Sequence, residues 1–160
     1  MKEYSILLGS LLVIATSVAY AANPAFKDYT VTPVFTGINH EPVSQEHSNP
    51  MMDKDRAQVL KGKVNFAGHY ILYQFGCGGS TLCGEVLDAR TGEVVGGLPN
   101  AYDGNALSLS NRPDSRLLIV SGIAADTEED AQGNELESRY RTRYFEFVNN
   151  EFRLLTFKDL

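Results

Sequence analysis

The sequence predicts a mainly β domain, built as an antiparallel sheet, a sandwich or a partial barrel, with one short N-terminal helix. Two observations favour this class. Between residues 66 and 157 the chain alternates short runs of aliphatic, aromatic and β-branched side chains with clusters of Gly, Asn, Asp and Pro, the pattern of strands joined by tight turns. No segment of about 20 to 50 residues recurs, so a propeller or another repeat architecture is excluded.

The first residues predict a signal peptide. Lys2 precedes an apolar run over residues 6–15, and the triplet Ala19-Tyr20-Ala21 offers small side chains at a peptidase site. The apolar run is shorter than the roughly 20 residues that span a bilayer. We therefore expect residues 1–21 to be a signal peptide and residues 22–160 to be a single globular domain, periplasmic or secreted.

The one predicted helix begins at Pro50, which fits the first helical turn, with Asn49 as its N-cap. It runs through residues 51–60, and Gly62 is expected to end it. Before it, residues 30–36 predict a short edge strand interrupted by Pro33, because proline cannot donate to a ladder.

The predicted strands follow in order, each bounded by turn residues. They cover residues 69–75, 85–88, 93–95, 106–110, 116–122, 140–148 and 151–157. Residues 89–92 join two of them as a hairpin that ends in Gly92, and Asn149-Asn150 joins the last two. In the penultimate strand, alternation places Arg141 and Arg143 on the same face as two phenylalanines. We therefore expect this sheet to be covered on both sides near its end.

The formal net charge is −6, from 14 basic and 20 acidic residues. This acidity argues against a nucleic-acid partner, which requires a basic face. It is compatible with another protein of cationic character. Outside the predicted signal peptide no apolar run approaches membrane-spanning length, so we expect no membrane span in the mature chain. The sequence indicates no oligomeric state.

Cys77 and Cys83 are the only cysteines. An even cysteine count in an exported protein predicts a disulfide. The alternative, a redox pair or metal ligands, usually shows the spacing C-x-x-C. Here five residues rich in glycine separate the cysteines, which favours a structural disulfide across a turn.

His69 is the one residue of the central segment that could carry catalysis. Beside Gly68 at a strand start, a histidine bonded to nearby backbone is the more common reading, and a base or metal ligand is the alternative. Pairing with Cys77 needs a turn, because eight residues of straight strand span about 26 Å. No G-x-S-x-G elbow occurs, and His40 and His47 do not add metal-ligand spacing. We expect no metal and no cofactor.

Residues 124–138 are acidic and predict a mobile, solvent-exposed loop. A calcium loop starting at Asp126 would need glycine at its sixth position, which is Ala131. Candidate binding residues are His69, Tyr70, Glu128 and Asp130, on the expectation that a concave surface collects them.

These residues also carry a resemblance to a family. The segments concerned are NFAGHY (65–70), GCG (76–78) with Cys83, DARTG (88–92) and DSRLL (114–118). They resemble a group of small exported bacterial proteins for which no activity is established, over about residues 53–157. The resemblance therefore implies no catalytic residues. This chain departs from the group in its wider cysteine spacing and in a longer acidic insert.

Together these observations favour an exported, disulfide-stapled binding module of the cell envelope, of inhibitor or immunity type, over an enzyme. The alternative is an envelope hydrolase with a site near His69.

Overall fold

The computed structural model describes residues 22–44, 50–130 and 132–160. The predicted signal peptide and Asn49 lie outside the described residues. Over the described ranges, no helix has both the length and the apolar character needed to cross a bilayer.

The predicted mainly β class is confirmed, with one α-helix ahead of the strands. After a 3-10 helix (Phe26–Tyr29), the elements are α1 (Pro50–Val59), β1 (Tyr70–Gly78), β2 (Thr81–Asp88), β3 (Val94–Gly97), β4 (Tyr102–Asp103), β5 (Ser108–Ser110), β6 (Leu117–Gly122), β7 (Glu128–Glu129), β8 (Glu135–Leu136), β9 (Arg141–Val148) and β10 (Glu151–Asp159). The predicted strand at residues 30–36 is wrong. There Thr30 makes one isolated bridge to Ser115, and Pro33 offers no N–H to extend it.

The strands form two four-stranded sheets and a separate hairpin, all with antiparallel pairing. The first sheet has the order β1-β2-β3, with β4 also paired to β2; the second has the order β10-β9-β6-β5. Strands β7 and β8 pair with each other, and we call residues 126–138 around them the acidic hairpin. Neither four-stranded sheet of the described residues closes into a barrel.

The main core lies between the two sheets. Alternate side chains of each sheet point inward, and they meet in one buried cluster that includes Leu72 and Val86 from the first sheet and Leu118 and Phe145 from the second. Phe66, which has no exposed surface, packs with its ring 5.5 Å from that of Phe147. The sheets are thus held by apolar burial, at about 25 cal/mol per Å².

The outer face of the first sheet carries the helix. Its apolar contact joins Leu60 to Ile71, Leu87 and Ala89. The polar contact is a buried ion pair in which Arg56 donates from Nε and Nη2 to the two carboxylate oxygens of Glu85, at 3.0 and 2.7 Å. A charged side chain at that depth requires such a partner, so this pair fixes the position of the helix.

The predicted disulfide is confirmed. Cys77 and Cys83 are bonded, with their Cα atoms 5.8 Å apart, across the β1–β2 hairpin. Cys77 lies where the register shifts between Gly76 and Gly78. The short glycine-rich segment therefore returns the chain through a bulged turn.

We expect reduction of this disulfide, or the double substitution Cys77→Ser and Cys83→Ser, to lower the free energy of unfolding by about 2 kcal/mol, because the closed loop is short. Urea denaturation with and without a reductant measures the difference. The reductant should leave the double variant unaffected. A loss above about 4 kcal/mol would show that the disulfide does more than close this loop.

Candidate functional site

Two concave regions contain three of the four predicted binding residues. One is a groove of about 410 Å³ beside His69 and Tyr70, which we call the histidine groove. The other is a cavity of about 450 Å³ between the second sheet and the acidic hairpin, which we call the arginine cavity.

In the histidine groove, the imidazole of His69 is engaged by its neighbours. Its Nε2 lies 2.6 Å from Nη2 of Arg90 and 3.5 Å from Oδ2 of Asp88. Burial lowers the pKa of His69, with Arg90 adding to the effect and Asp88 opposing it. The ring is therefore neutral at neutral pH, and because a guanidinium only donates, Nε2 accepts from Arg90 and the ring proton is on Nδ1.

In this arrangement His69 is not positioned to act as a general base. A base needs a nitrogen free to take a proton from substrate, and Nε2 already accepts a hydrogen bond. The thiol of Cys77 is consumed in the disulfide, so the pair His69–Cys77 has no nucleophile. Tyr70 stacks on His69, with ring centroids 3.9 Å apart, and its hydroxyl donates to Asn150 Oδ1 at 3.4 Å. The groove thus consists of groups that satisfy one another.

The arginine cavity is built around two buried guanidinium groups. Arg141, Arg143 and Phe145 follow one another along the inner face of β9. The side chain of each arginine is only 2% exposed. Arg143 lies over the ring of Tyr102, 5.3 Å from its centroid, and donates from Nη1 to the carbonyl oxygens of Gly122 and Arg141 at 3.0 and 2.9 Å. The partial burial of two like charges requires anionic partners nearby.

Glu128 of the acidic hairpin is the main partner. Arg143 donates to its two carboxylate oxygens, one from Nε and one from Nη2. Arg141 donates from Nη1 to Oε2 of the same carboxylate at 3.0 Å. One carboxylate therefore accepts hydrogen bonds from both guanidinium groups, with Arg143 in a bidentate arrangement.

A β-bulge in β10 supplies the second anion. The register with β9 shifts between Leu154 and Thr156, so that Phe157 and Asp159, instead of Thr156 and Lys158, share the face of the arginines. Asp159 accepts from Nε of Arg141 at 2.6 Å, and this hydrogen bond lowers the pKa of Asp159. Phe157 lies under Arg141, 4.8 Å from its Cζ. Bulges commonly re-aim side chains in this way beside binding sites.

The rest of the cavity wall has an apolar side and a polar side. Phenylalanines and Leu154 of the β9–β10 hairpin form the apolar side, and the acidic hairpin, with Glu129 and Glu135, closes the other. The lining residues are Pro99, Asn100, Thr127, Glu128, Glu129, Glu135, Leu136, Arg141, Arg143, Phe145, Phe152, Leu154 and Phe157. The volume lies within the range of small-molecule pockets, about 300 to 1,000 Å³.

The expectation that residues 124–138 are solvent-exposed is confirmed for most of the residues described there, but the segment is not a loop throughout. The segment forms the paired strands β7 and β8, and the side chain of Glu128 is only 16% exposed because it pairs with buried arginines. Asp130 serves the turn itself: it accepts from the backbone N–H groups of Gln132 and Asn134, and its hydrogen bond with the Asn134 side chain lowers its pKa. A run of acids can thus be a structural hairpin when one member meets buried cations.

The four predicted binding residues do not form one site. His69 and Tyr70 line the histidine groove, Glu128 lines the arginine cavity, and Asp130 lines neither. Sequence reasoning missed Arg141, Arg143 and Phe157. The signal for the arginines was their place on the same face as the phenylalanines of β9. Among residues 22–44, 50–130 and 132–160, no three His, Cys, Asp or Glu side chains are arranged to hold a metal ion.

Comparison with known proteins finds no match: no family model, no curated protein and no solved structure is similar to this chain. The resemblance to small exported proteins therefore stays a prediction.

Proposed function

We propose that the protein is a non-enzymatic binding module of the cell envelope, of inhibitor or immunity type, that binds a cationic protein. Export is supported by the predicted signal peptide and by the disulfide, which is typical of oxidising compartments. The binding role is supported by the acidic hairpin and by the acidity of the whole chain.

The observation that supports this binding function most directly is a pair of carboxylates that face each other. Glu129 and Glu135 lie directly opposite each other in the β7–β8 ladder, and both side chains are exposed. Within the part of the chain that the structure describes, neither has an ion-pair partner. Like charges directly opposite each other in a ladder are unfavourable, and a basic side chain of a partner would relieve this repulsion.

The hairpin that carries this pair is held in place by Glu128. Because neighbouring residues of a strand point to opposite sides, Glu128 pairs with the buried arginines while Glu129 stays exposed at the rim of the arginine cavity. The bonds of Glu128 to Arg141 and Arg143 therefore fix the position of the two exposed carboxylates. A pre-positioned acidic surface speeds and orients the encounter with a cationic protein.

The geometry of the histidine groove does not favour the alternative function, an envelope hydrolase with a site near His69. Nε2 of His69 accepts a hydrogen bond from Arg90, and no thiol is available beside it.

The test uses the mature chain, residues 22–160, immobilised against an envelope extract, followed by titration of each purified captured protein in a calorimeter. We expect a basic partner whose affinity falls about tenfold in the double variant Glu129→Gln, Glu135→Gln. The matched control is Asp55→Asn with Glu151→Gln, which removes the same charge at two other exposed positions. This control and His69→Ala should bind within about twofold of the unmodified chain.

Equal affinity of the hairpin variant and the charge-matched control would contradict the proposal, as would a captured partner that is acidic. Loss of binding in His69→Ala alone would move the site to the histidine groove.

A further inference from the structure

Apolar packing alone does not explain why two arginines are buried in β9. Arg141 and Arg143 occupy adjacent inward positions of β9, where Phe145 and Phe147 continue the same face. Apolar side chains of similar size would fill these two positions without removing charge from water, and such replacements are often neutral or stabilising in other proteins. The pair therefore points to a role in binding an anion.

In the structure, the anion bound by the two arginines is a carboxylate of the same chain. Glu128 receives both the Nε and Nη2 donors of Arg143 and the Nη1 donor of Arg141. The planar fork of a guanidinium matches a carboxylate from any source. Glu128 reaches the pair from a hairpin whose strands are two residues each, so few ladder hydrogen bonds oppose its withdrawal.

The apolar side of the cavity indicates that the rest of the ligand is apolar. Phe152, Leu154 and Phe157 of β10 line it together with Leu136 of the acidic hairpin. A hydrocarbon chain or an aromatic ring placed there would lose its contact with water, at about 25 cal/mol per Å² of apolar area.

We propose that the arginine cavity binds a small apolar carboxylic acid, whose carboxylate replaces that of Glu128 on Arg141 and Arg143 while its hydrocarbon body lies against Phe152, Leu154 and Phe157. The exchange puts one carboxylate in the place of another, so the hydrogen bonds and the charge balance of the cluster are kept. Net binding then comes from burial of the apolar body. This ligand site does not depend on the proposed protein partner.

The charge count favours a monoanion. The ion-pair cluster holds two guanidinium groups and two carboxylates, Glu128 and Asp159, and the exposed carboxylates of Glu129 and Glu135 line the same cavity. Replacing Glu128 by a monocarboxylate leaves the cluster neutral, whereas a phosphate dianion adds a negative charge close to Asp159. Two negative charges close together in such a site repel each other more strongly than in water.

The test is a titration of the purified mature chain with sodium octanoate, with octanamide as the neutral probe of the same length and octyl phosphate as the dianion. We expect octanoate to bind at least tenfold more tightly than either of the other two. Glu128→Gln should bind octanoate at least fivefold more tightly than the unmodified chain, because the tethered carboxylate no longer competes. Arg143→Met should abolish binding, and Asp126→Asn, a matched control that removes an exposed carboxylate of the same hairpin outside the cavity lining, should not change it.

Equal affinity for octanoate and octanamide would overturn the proposal, since it would show an apolar cleft that does not recognise the carboxylate. So would unchanged or weaker octanoate binding in a Glu128→Gln variant whose circular dichroism spectrum is native. If that variant does not fold, NMR of the unmodified chain decides: octanoate, but not octanamide, must shift the Nε–Hε resonance of Arg143. Absence of that shift overturns the proposal. Because these measurements use the isolated chain, they can fail while the capture of a cationic protein succeeds, and the reverse.

Discussion

Replacement of Glu128 by alanine is expected to lower the free energy of unfolding by about 3–5 kcal/mol, the cost of leaving a buried charge without its partner. Arg143 loses its only anionic partner among the described residues and keeps two backbone carbonyls. Arg141 retains Asp159. Water that enters the space of the missing side chain offsets part of the loss, so the lower end of this range applies if the hairpin opens.

Urea denaturation followed by far-UV circular dichroism measures this effect. The control is Glu135→Ala at an exposed position of the same hairpin, which should change the free energy of unfolding by no more than about 0.5 kcal/mol. The triple variant Glu128→Leu, Arg141→Met, Arg143→Met should recover most of the loss, because it removes the charges together with their partner. A loss below about 1 kcal/mol for Glu128→Ala would show that the ion pairs do not hold the hairpin.

Replacement of Gly92 by alanine is expected to cost about 2–5 kcal/mol, from two causes that add. The backbone of Gly92 has φ +77°, a left-handed conformation that costs an L-residue about 1–2 kcal/mol. A Cβ there would also lie 1.9 Å from the carbonyl oxygen of Glu41. That oxygen is held close, since Val43 donates its N–H to the Gly92 carbonyl at 2.9 Å. The two segments must separate, at a cost comparable to overpacking, about 1–3 kcal/mol.

Gly79 is the matched control for this prediction. Its φ is +57°, and a Cβ there meets no atom within 4 Å. Gly79→Ala should therefore cost only the conformational part, about 1–2 kcal/mol. The two variants are compared by thermal and urea denaturation under the same conditions. Equal losses at both positions would mean that residues 41–43 adapt freely and that the contact with Glu41 carries no strain.

Much of the fold was predictable because its signals are local. Asn149 and Asn150 both have positive φ, as a two-residue hairpin turn of this kind requires, and these residues were identified from their chemistry alone. The helix begins at Pro50 as predicted and ends at Val59, shortly before Gly62. The turn at residues 89–92 and the disulfide likewise depend on residues close together in the chain.

The candidate site was less predictable because its residues come from three separate segments. The acids of residues 124–138 have the composition of a solvated loop. What orders them is the meeting of Glu128 with Arg141 and Arg143, which depends on how the hairpin packs against the second sheet. His69 was a reasonable candidate by residue type, yet its role depends on Arg90, whose guanidinium occupies the nitrogen that catalysis would need.

The β class, the turns, the helix and the cysteine pairing follow from the sequence alone, because each depends on residues close together in the chain. Which face of β10 meets the arginines is instead set by the pairing of β9 with β10. Strict alternation from Phe152 and Leu154 places Thr156 and Lys158 beside them, and the bulge between Leu154 and Thr156 replaces these with Phe157 and Asp159. A bulge is defined by pairing with the neighbouring strand, so the buried charge cluster exists only once β9 and β10 are in register.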